Sequence, residues 1–429
     1  MKLFTQTFGC QMNFADSDEM GRHFKERGFA QTQNLEEADA VLVNTCTVRE
    51  LAEHKAMSFI GRMKEWKLNN PNGLLIVTGC AAERAKVEMK RKFPHIDLIV
   101  GAKDIEEFPY ELDKSLKPLV EDRLIPEPVE TTPNNSVVQY VTIMRGCNYS
   151  CTYCIVPSVR GREVYRPVET ILQETEARVT EGAKEIWLLG QTVNSYKPQQ
   201  APSDNYFFPE LLRDVAKING LQRLRFISPH PYYLNENLIQ AMAETPNVPE
   251  YMHLPVQSGS DSQLKKMKRN YTRSSYMKGV LALRKAIPNI VISSDIIVGF
   301  PGETIADFEE TLSVVKEAGF DSAYCFKYSP RPGTESADKF PDDVPNEEKE
   351  RRVNLLLELT DSQGQANAKK LIGSVQEVLI EEDKGDGVFR GKTRGAWRMR
   401  IKNPTLKPGD IVQAKVIDTY SRELHGEVV

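Results

Sequence analysis

The chain has 429 residues, 40% of them hydrophobic and 27% charged, with a formal net charge of −4. That is the ordinary composition of a soluble globular protein, long enough for two to four domains with a large core, and it excludes a uniformly basic chain. No run of about 18 apolar residues is present, and the start MKLFTQTFGCQMN lacks the apolar core of a secretory leader, so a cytoplasmic location is expected.

The first ~115 residues alternate between strand and helix patterns. LFTQT (3–7), AVLVNT (40–45), LLIVTG (74–79) and DLIVG (97–101) are short apolar runs separated by helical stretches, the pattern of a parallel sheet covered on both faces. Asp16 is expected to cap a helix that Gly28 ends. Cys10 follows the first run after two residues, while Cys46 and Cys80 directly follow the second and third. Ligands of open parallel sheets bind beyond the carboxyl ends of the strands, so three cysteines at three such ends are candidates to converge. Three unrelated buried thiols are the alternative.

A proline-bearing, acidic stretch, 114–135, reads as a linker. Beyond it six further strand runs are expected, at 138–144, 185–190, 223–228, 251–256, 290–299 and 322–328, with helical patterns between them. Six successive strand–helix units of one hand predict a partial (β/α)6 barrel, with its site at the carboxyl ends of the strands. CNYSCTYC (147–154) lies just beyond the first of these strands. The segment 331–345 is a second break, and NEEKERRVNLLLELTDSQGQANAKKL a long helix. The last ~60 residues carry short strands with Gly and Pro turns and predict a small all-β barrel of OB-like type.

Seven cysteines are an odd number, and in a reducing compartment they argue for metal ligation or catalysis rather than disulfides. Cys147, Cys151 and Cys154 are spaced C-x3-C-x2-C, three ligands where a closed zinc site needs four. A [4Fe–4S] cluster held by three thiolates leaves one iron for an external ligand. Cys325 lies in an apolar run and reads as an inert core thiol. From Ala366 onward twelve Lys/Arg face nine Asp/Glu, and 389–402 holds six basic residues, no acid and two aromatics, a local basic patch. Arg390, Lys392, Arg394, Arg398 and Arg400 are candidates for phosphate contacts, and Phe389 and Trp397 either stack on bases or pack. Strand alternation puts Arg398 and Arg400 on one face and Trp397 and Met399 on the other.

These motifs resemble the methylthiotransferase family of radical S-adenosylmethionine (SAM) enzymes over nearly the whole chain. FGCQMN (8–13), NTC (44–46), GC (79–80) and GCNYSCTYC (146–154) carry the resemblance. RGREVYRP (160–167), LLGQTVNSY (188–196), HLPVQSGSD (253–261), SSDIIVGFPGET (293–304) and FKYSPRPGT (326–334) extend it. Thr192 stands where the family usually has Asn, and Asn270 where it has Gly. The resemblance implies a cluster domain (1–115), a radical SAM core (136–365) and an RNA-binding TRAM domain (366–429). It implies two [4Fe–4S] clusters, one on Cys147, Cys151 and Cys154 and one on Cys10, Cys46 and Cys80, with SAM as cofactor.

Candidate SAM contacts are Tyr153, Gly190, Gln191, Gln257, Ser258 and Ile297. Candidate substrate contacts are Asn13, Arg160, Arg390, Lys392, Arg394 and Arg398. Asp16, beside Cys10, is either a substrate contact or a cap. GCQMN resembles the branch that adds a methylthio group to C2 of N6-dimethylallyladenosine next to the tRNA anticodon. Branches acting on threonylcarbamoyladenosine in tRNA or on an aspartate of a ribosomal protein are alternatives, and so is a non-catalytic zinc protein that binds RNA. Expected partners are tRNA and a reduced flavodoxin- or ferredoxin-type electron donor, with no membrane, and the chain is expected to be a monomer.

Overall fold

A computed structural model describes residues 1–121 and 136–429. It divides into two compact units. The first gathers the N-terminal residues with Arg145–Tyr149 and Ile155–Val164, and the second holds Ser150–Cys154 and Tyr165–Val429 together with the strand preceding Arg145.

The first unit is built on five strands: β1 (Lys2–Thr7), β2 (Ala30–Thr32), β3 (Ala40–Thr45), β4 (Leu74–Gly79) and β5 (Leu98–Gly101). Their order is β2-β1-β3-β4-β5, and all neighbours are parallel. Every residue of β3 and β4 is buried. Alternation explains how: Val41, Val43, Leu75 and Val77 enter one apolar cluster, and Ala40, Leu42, Leu74 and Ile76 enter another on the opposite face. Helices α1 (Gln11–Glu26), α2 (Glu50–Asn69), α3 (Cys80–Lys92) and α4 (Phe108–Glu121) follow β1, β3, β4 and β5. The expected four strands are present, and the short β2 is the one the sequence pattern missed.

Two expectations change here. Helix α1 starts at Gln11 with Cys10 as its N-cap residue, so Asp16 does not cap it. Asp16 instead sits inside the helix, buried, among charged partners from further down the chain. The linker expected at 114–135 is helical up to Glu121, and its remainder lies outside the described residues.

In the second unit six parallel strands recur at the expected places: β6 (Val138–Thr142), then, after β7 (Met144–Arg145) and β8 (Val164–Tyr165), β9 (Glu185–Leu189), β10 (Arg223–Phe226), β11 (Tyr251–His253), β12 (Val291–Val298) and β13 (Ser322–Lys327). They form two three-stranded halves, β10-β9-β6 and β11-β12-β13. Helices cover them, as the local chemistry dictates. In Ile305–Ala318, for example, Thr304 and Asp307 make a capping box and Gly319 closes the helix in the left-handed region (φ +59°). The long helix spans Asn346–Lys369.

A closed five-stranded barrel ends the chain, ordered β14 (Val375–Asp383), β15 (Val388–Thr393), β16 (Arg398–Lys402), β18 (Glu423–Val428), β17 (Ile411–Tyr420). Closure leaves no free sheet edge. This barrel is fixed to the amino ends of β9 and β10. The fully buried Arg223 donates to Glu377 Oε1 (2.9 Å) and to Lys392 O (2.8 Å). Arg225 donates to Thr393 O (3.0 Å) and pairs with the buried Glu185 (3.0 Å). Among the described residues no helix is long and apolar enough to cross a membrane.

Candidate metal centres

Cys10, Cys46 and Cys80 stand on the carboxyl edge of three neighbouring strands, β1, β3 and β4. Glycines show how tight this edge is. Gly9 has φ +126°, and a Cβ there would lie 2.7 Å from Cys46 Cβ and 2.9 Å from Asn13 Oδ1. Gly79 has φ +98°, and a Cβ there would collide with Thr45 O. Only glycine meets both demands, so each Gly-Cys pair is a local device for bringing a thiol to the edge.

The Cys10 thiol donates to Asn13 Oδ1 (3.3 Å), whose amide donates to Asn44 Oδ1 (2.8 Å) and Thr45 O (3.0 Å). Asn13 therefore positions Cys10 against the end of β3. Burial pushes the Cys80 thiol up to about 11, with Arg160 acting against it and the Cys10 and Cys46 thiols adding to it. Burial raises Cys46 as well. Such thiols stay neutral until a metal replaces the proton.

Among the described residues no three thiol, imidazole or carboxylate groups are close enough together to hold a single metal ion. A four-iron cluster spreads its thiolates around its own body, so thiols too far apart for one ion still suit a cubane.

The second cysteine set lies on the 147–154 loop. Cys147 N–H donates to Gly161 O (3.1 Å). In the second unit Cys154 N–H donates to Cys151 O (3.0 Å), and Thr152 bonds Met267 O and Lys266 O through its N–H and hydroxyl. Cys151 Sγ accepts from Arg269 Nη1 (3.2 Å), and that guanidinium lies over the Tyr271 ring. Tyr153 is packed edge-on to Phe300 and shares an apolar cluster with Ile297, Met267 and Tyr328. Two of the candidate SAM contacts, Tyr153 and Ile297, are thus brought together.

Gly190 and Gln191 follow β9. A Cβ on Gly190 would meet Met144 Cγ at 2.5 Å. Both polar atoms of the Gln191 side chain are buried without a partner, which marks it for a ligand. Gln257 is held at φ +65° by bonds on both sides, from its N–H to Asp295 O (2.9 Å) and from Ile297 N–H to its carbonyl (2.8 Å). A non-glycine residue kept there is the kind of backbone strain found at ligand sites. Ser258 is fully buried and bonds Thr311 and Ser260 within the protein. Cys325 packs against the barrel core with its thiol pushed up to about 11 by burial.

On the C-terminal barrel Arg398, Arg400 and Lys402 are exposed, while Met399 and Ile401 are buried between them. Phe389 and Trp397 are core residues of that barrel and so pack rather than stack. Arg390 pairs with Glu423 (2.9 Å) and Lys392 with Glu381 (3.0 Å). Arg394 clamps Glu250 at the amino edge of β11 (2.8 Å).

Arg160 is buried in the first unit, its Nη2 on Asp16 Oδ2 (2.8 Å). Arg145 bonds the other Asp16 oxygen and Glu19. Burial alone would raise the Asp16 carboxyl, but the two guanidiniums outweigh it and hold it below the usual carboxylate range. Sequence reasoning missed this Asp16–Arg145–Arg160 group and the Arg269–Cys151 contact. The available signal was a helix face: Asn13, Asp16 and Ser17 are all polar and all buried.

Comparison with known proteins agrees with this arrangement. Residues 2–101 match an uncharacterized protein family, UPF0004, residues 141–315 the radical SAM superfamily, and residues 369–429 the TRAM domain. A Clostridium botulinum protein named tRNA-2-methylthio-N(6)-dimethylallyladenosine synthase is 42% identical, covering 100% of this chain and 97% of its own. A protein of the same name from Aquifex aeolicus is 40% identical over 100% and 98%. The solved radical SAM methyltransferase TsrM from Kitasatospora setae shares the fold, with a TM-score of 0.56 at 13% identity, over 90% of this chain and 81% of that one. Radical SAM membership implies a [4Fe–4S] cluster and SAM. The chain belongs to the radical SAM tRNA methylthiotransferases, the family of the synthases it matches from end to end.

Proposed function

We infer that this protein transfers a methylthio group to C2 of N6-dimethylallyladenosine beside the tRNA anticodon. The observation that carries the reading is the 42% identity, over the full chain, to a synthase named for that product. The other two methylthiotransferase branches and the zinc-protein reading have no such support.

A C–H bond on an aromatic base is inert to acid–base chemistry, and a [4Fe–4S] cluster with SAM, when bound, supplies a 5′-deoxyadenosyl radical able to remove that hydrogen. We assign Cys147, Cys151 and Cys154 to that cluster. Cys10, Cys46 and Cys80 would hold a second one, which would supply the sulfur, with a second SAM as the source of the methyl group. The three-strand edge and the Gly-Cys pairs support this second assignment.

Gln191, Gly190 and Gln257 meet SAM through buried amide and backbone groups, Tyr153 and Ile297 supply an apolar wall, and Ser258 holds the loop behind them. Asn13 orients Cys10. Residues 1–115, 136–365 and 366–429 act as cluster domain, radical core and RNA-binding domain. Arg390, Lys392 and Arg398, with Arg394 as the clamp that orients their barrel, meet tRNA phosphates. The chain works as a monomer and takes electrons from a flavodoxin- or ferredoxin-type donor.

The test is iron, sulfide and zinc content of protein purified without oxygen and reconstituted, followed by tRNA turnover. Two cubanes predict about eight irons per chain, and about four in the Cys147/Cys151/Cys154→Ala variant. Zinc near one per chain with little iron would remove the radical reading.

A further inference from the structure

Arg160 is a buried cation of the first unit. Its side chain is 4% exposed, and Asp16, at 3%, holds one end of the guanidinium through Nη2. Nη1 is buried with no hydrogen-bond partner. A buried, unsatisfied N–H costs about 1–3 kcal/mol, more on a charged group, so its persistence asks for a missing acceptor.

The surroundings say where that acceptor belongs. Arg160 ends helix α5 (Val156–Arg160), and the residue before it, Val159, packs with Ile155 directly on Cys80 and Ala102. Two guanidiniums, Arg145 and Arg160, share the single buried carboxylate of Asp16, since Glu19 is half-buried at the margin. Arg145 is also paired with Glu19 (2.6 Å), so the four charges balance, and what the group leaves over is the unpaired Nη1–H of Arg160. A cubane held by three thiolates is anionic, and so is sulfide bound to it. A tRNA phosphate is a poorer occupant, because a group this deeply buried is out of reach of a nucleic-acid backbone.

We propose that Arg160 is the residue that holds transferable sulfur at the Cys10/Cys46/Cys80 site: its unpaired Nη1–H donates to an anionic sulfur ligand of hydrosulfide type, and Asp16 fixes the guanidinium that presents it. This rests on the reading of those cysteines as a second cluster. Arg160 is then a sulfur-binding residue rather than a contact to RNA.

The test uses the full chain carrying Cys147/Cys151/Cys154→Ala, so that one cluster remains. After anaerobic reconstitution, sodium hydrosulfide is titrated in and the reduced cluster is followed by electron paramagnetic resonance. Arg160→Met is expected to keep its iron and bind hydrosulfide about ten- to a hundredfold more weakly, with Arg160→Lys in between. Binding by the methionine variant within about twofold of the parent would overturn the proposal. Should that variant take up no iron, Arg160→Lys decides, because it keeps the charge and the Asp16 pair but not the forked second N–H. Weaker hydrosulfide binding then supports the proposal, and equal binding overturns it. No iron in the parent removes the second-cluster reading and this inference with it, whereas iron with unchanged binding removes the inference alone.

Discussion

Cys10, Cys46 and Cys80 come from three strand ends, while Cys147, Cys151 and Cys154 come from one eight-residue loop. The first set exists only because β1, β3 and β4 are neighbours in register, with Asn44 opposite Thr78 and Thr45 opposite Gly79. The loop set is a matter of local spacing. The difference teaches where each set is vulnerable. A defect in the sheet disturbs the first set at a distance, whereas the loop set answers to changes close to it.

The largest effects separate the two sets outright. Cys80→Ala is expected to lower iron by about four per chain and abolish methylthio transfer while SAM cleavage to 5′-deoxyadenosine continues. Cys151→Ala is expected to lower iron by a similar amount and abolish the cleavage itself. Iron analysis with product chromatography checks both. Loss of cleavage in the Cys80 variant would break the division of labour between the sets.

Asp16→Asn comes next, as a probe of what supports the three-strand set. Removing the carboxylate leaves two guanidiniums together in a buried site, at a cost of about 3–5 kcal/mol, visible as a lower melting temperature. The sign of the pH effect follows from the direction of the shift. The folded-state pKa of Asp16 lies below its free value of about 3.9, so its contribution is complete above that pH and is lost as pH falls through the lower folded value. The wild-type chain should therefore lose more stability than Asp16→Asn on acidification below about pH 4.

The same contrast explains what could be read in advance. Cys147–Cys154 was legible because a motif of eight residues needs no fold to be recognised. The row of Cys10, Cys46 and Cys80 was legible because each follows an apolar run, and parallel sheets bind ligands at that end. Asp16 was misread because an acidic residue ahead of an apolar helical pattern usually caps it. Here Cys10 is the N-cap residue, and the partners of Asp16 lie 129 and 144 residues further along, where no local pattern points. Three-residue β2 was too short to show a period.

Gly79→Ala is a subtler cut at the three-strand set. The new Cβ meets Thr45 O in a left-handed backbone, so the chain must shift between β3 and α3. A destabilisation of about 1–3 kcal/mol is expected, with poorer iron uptake at the Cys80 site and normal SAM cleavage. Gly146→Ala, whose Cβ would collide with Arg162 O beside Cys147, should strike SAM cleavage instead. Calorimetry with iron analysis distinguishes the two, and the same phenotype from both would show that the sets are not separately supported.

The smallest effects belong to the basic face, where the comparison becomes one of neighbours on a single barrel. Arg398 is exposed on β16, whereas Arg394 grips Glu250 and the carbonyls of Pro246 and Val248. Arg398→Ala should weaken tRNA binding several-fold for every tRNA alike and reduce the slope of log K against log salt by about 1, with stability unchanged. Arg394→Ala should leave that slope nearly unchanged. It should instead cost up to about 1 kcal/mol, since the pair with Glu250 is partly exposed, and loosen the attachment of the C-terminal barrel. Binding isotherms at several salt concentrations, beside melting curves, separate a phosphate contact from a clamp. If the slopes fall equally in both variants, Arg394 leaves Glu250 for the phosphate backbone when tRNA binds, and the clamp belongs to the free protein alone.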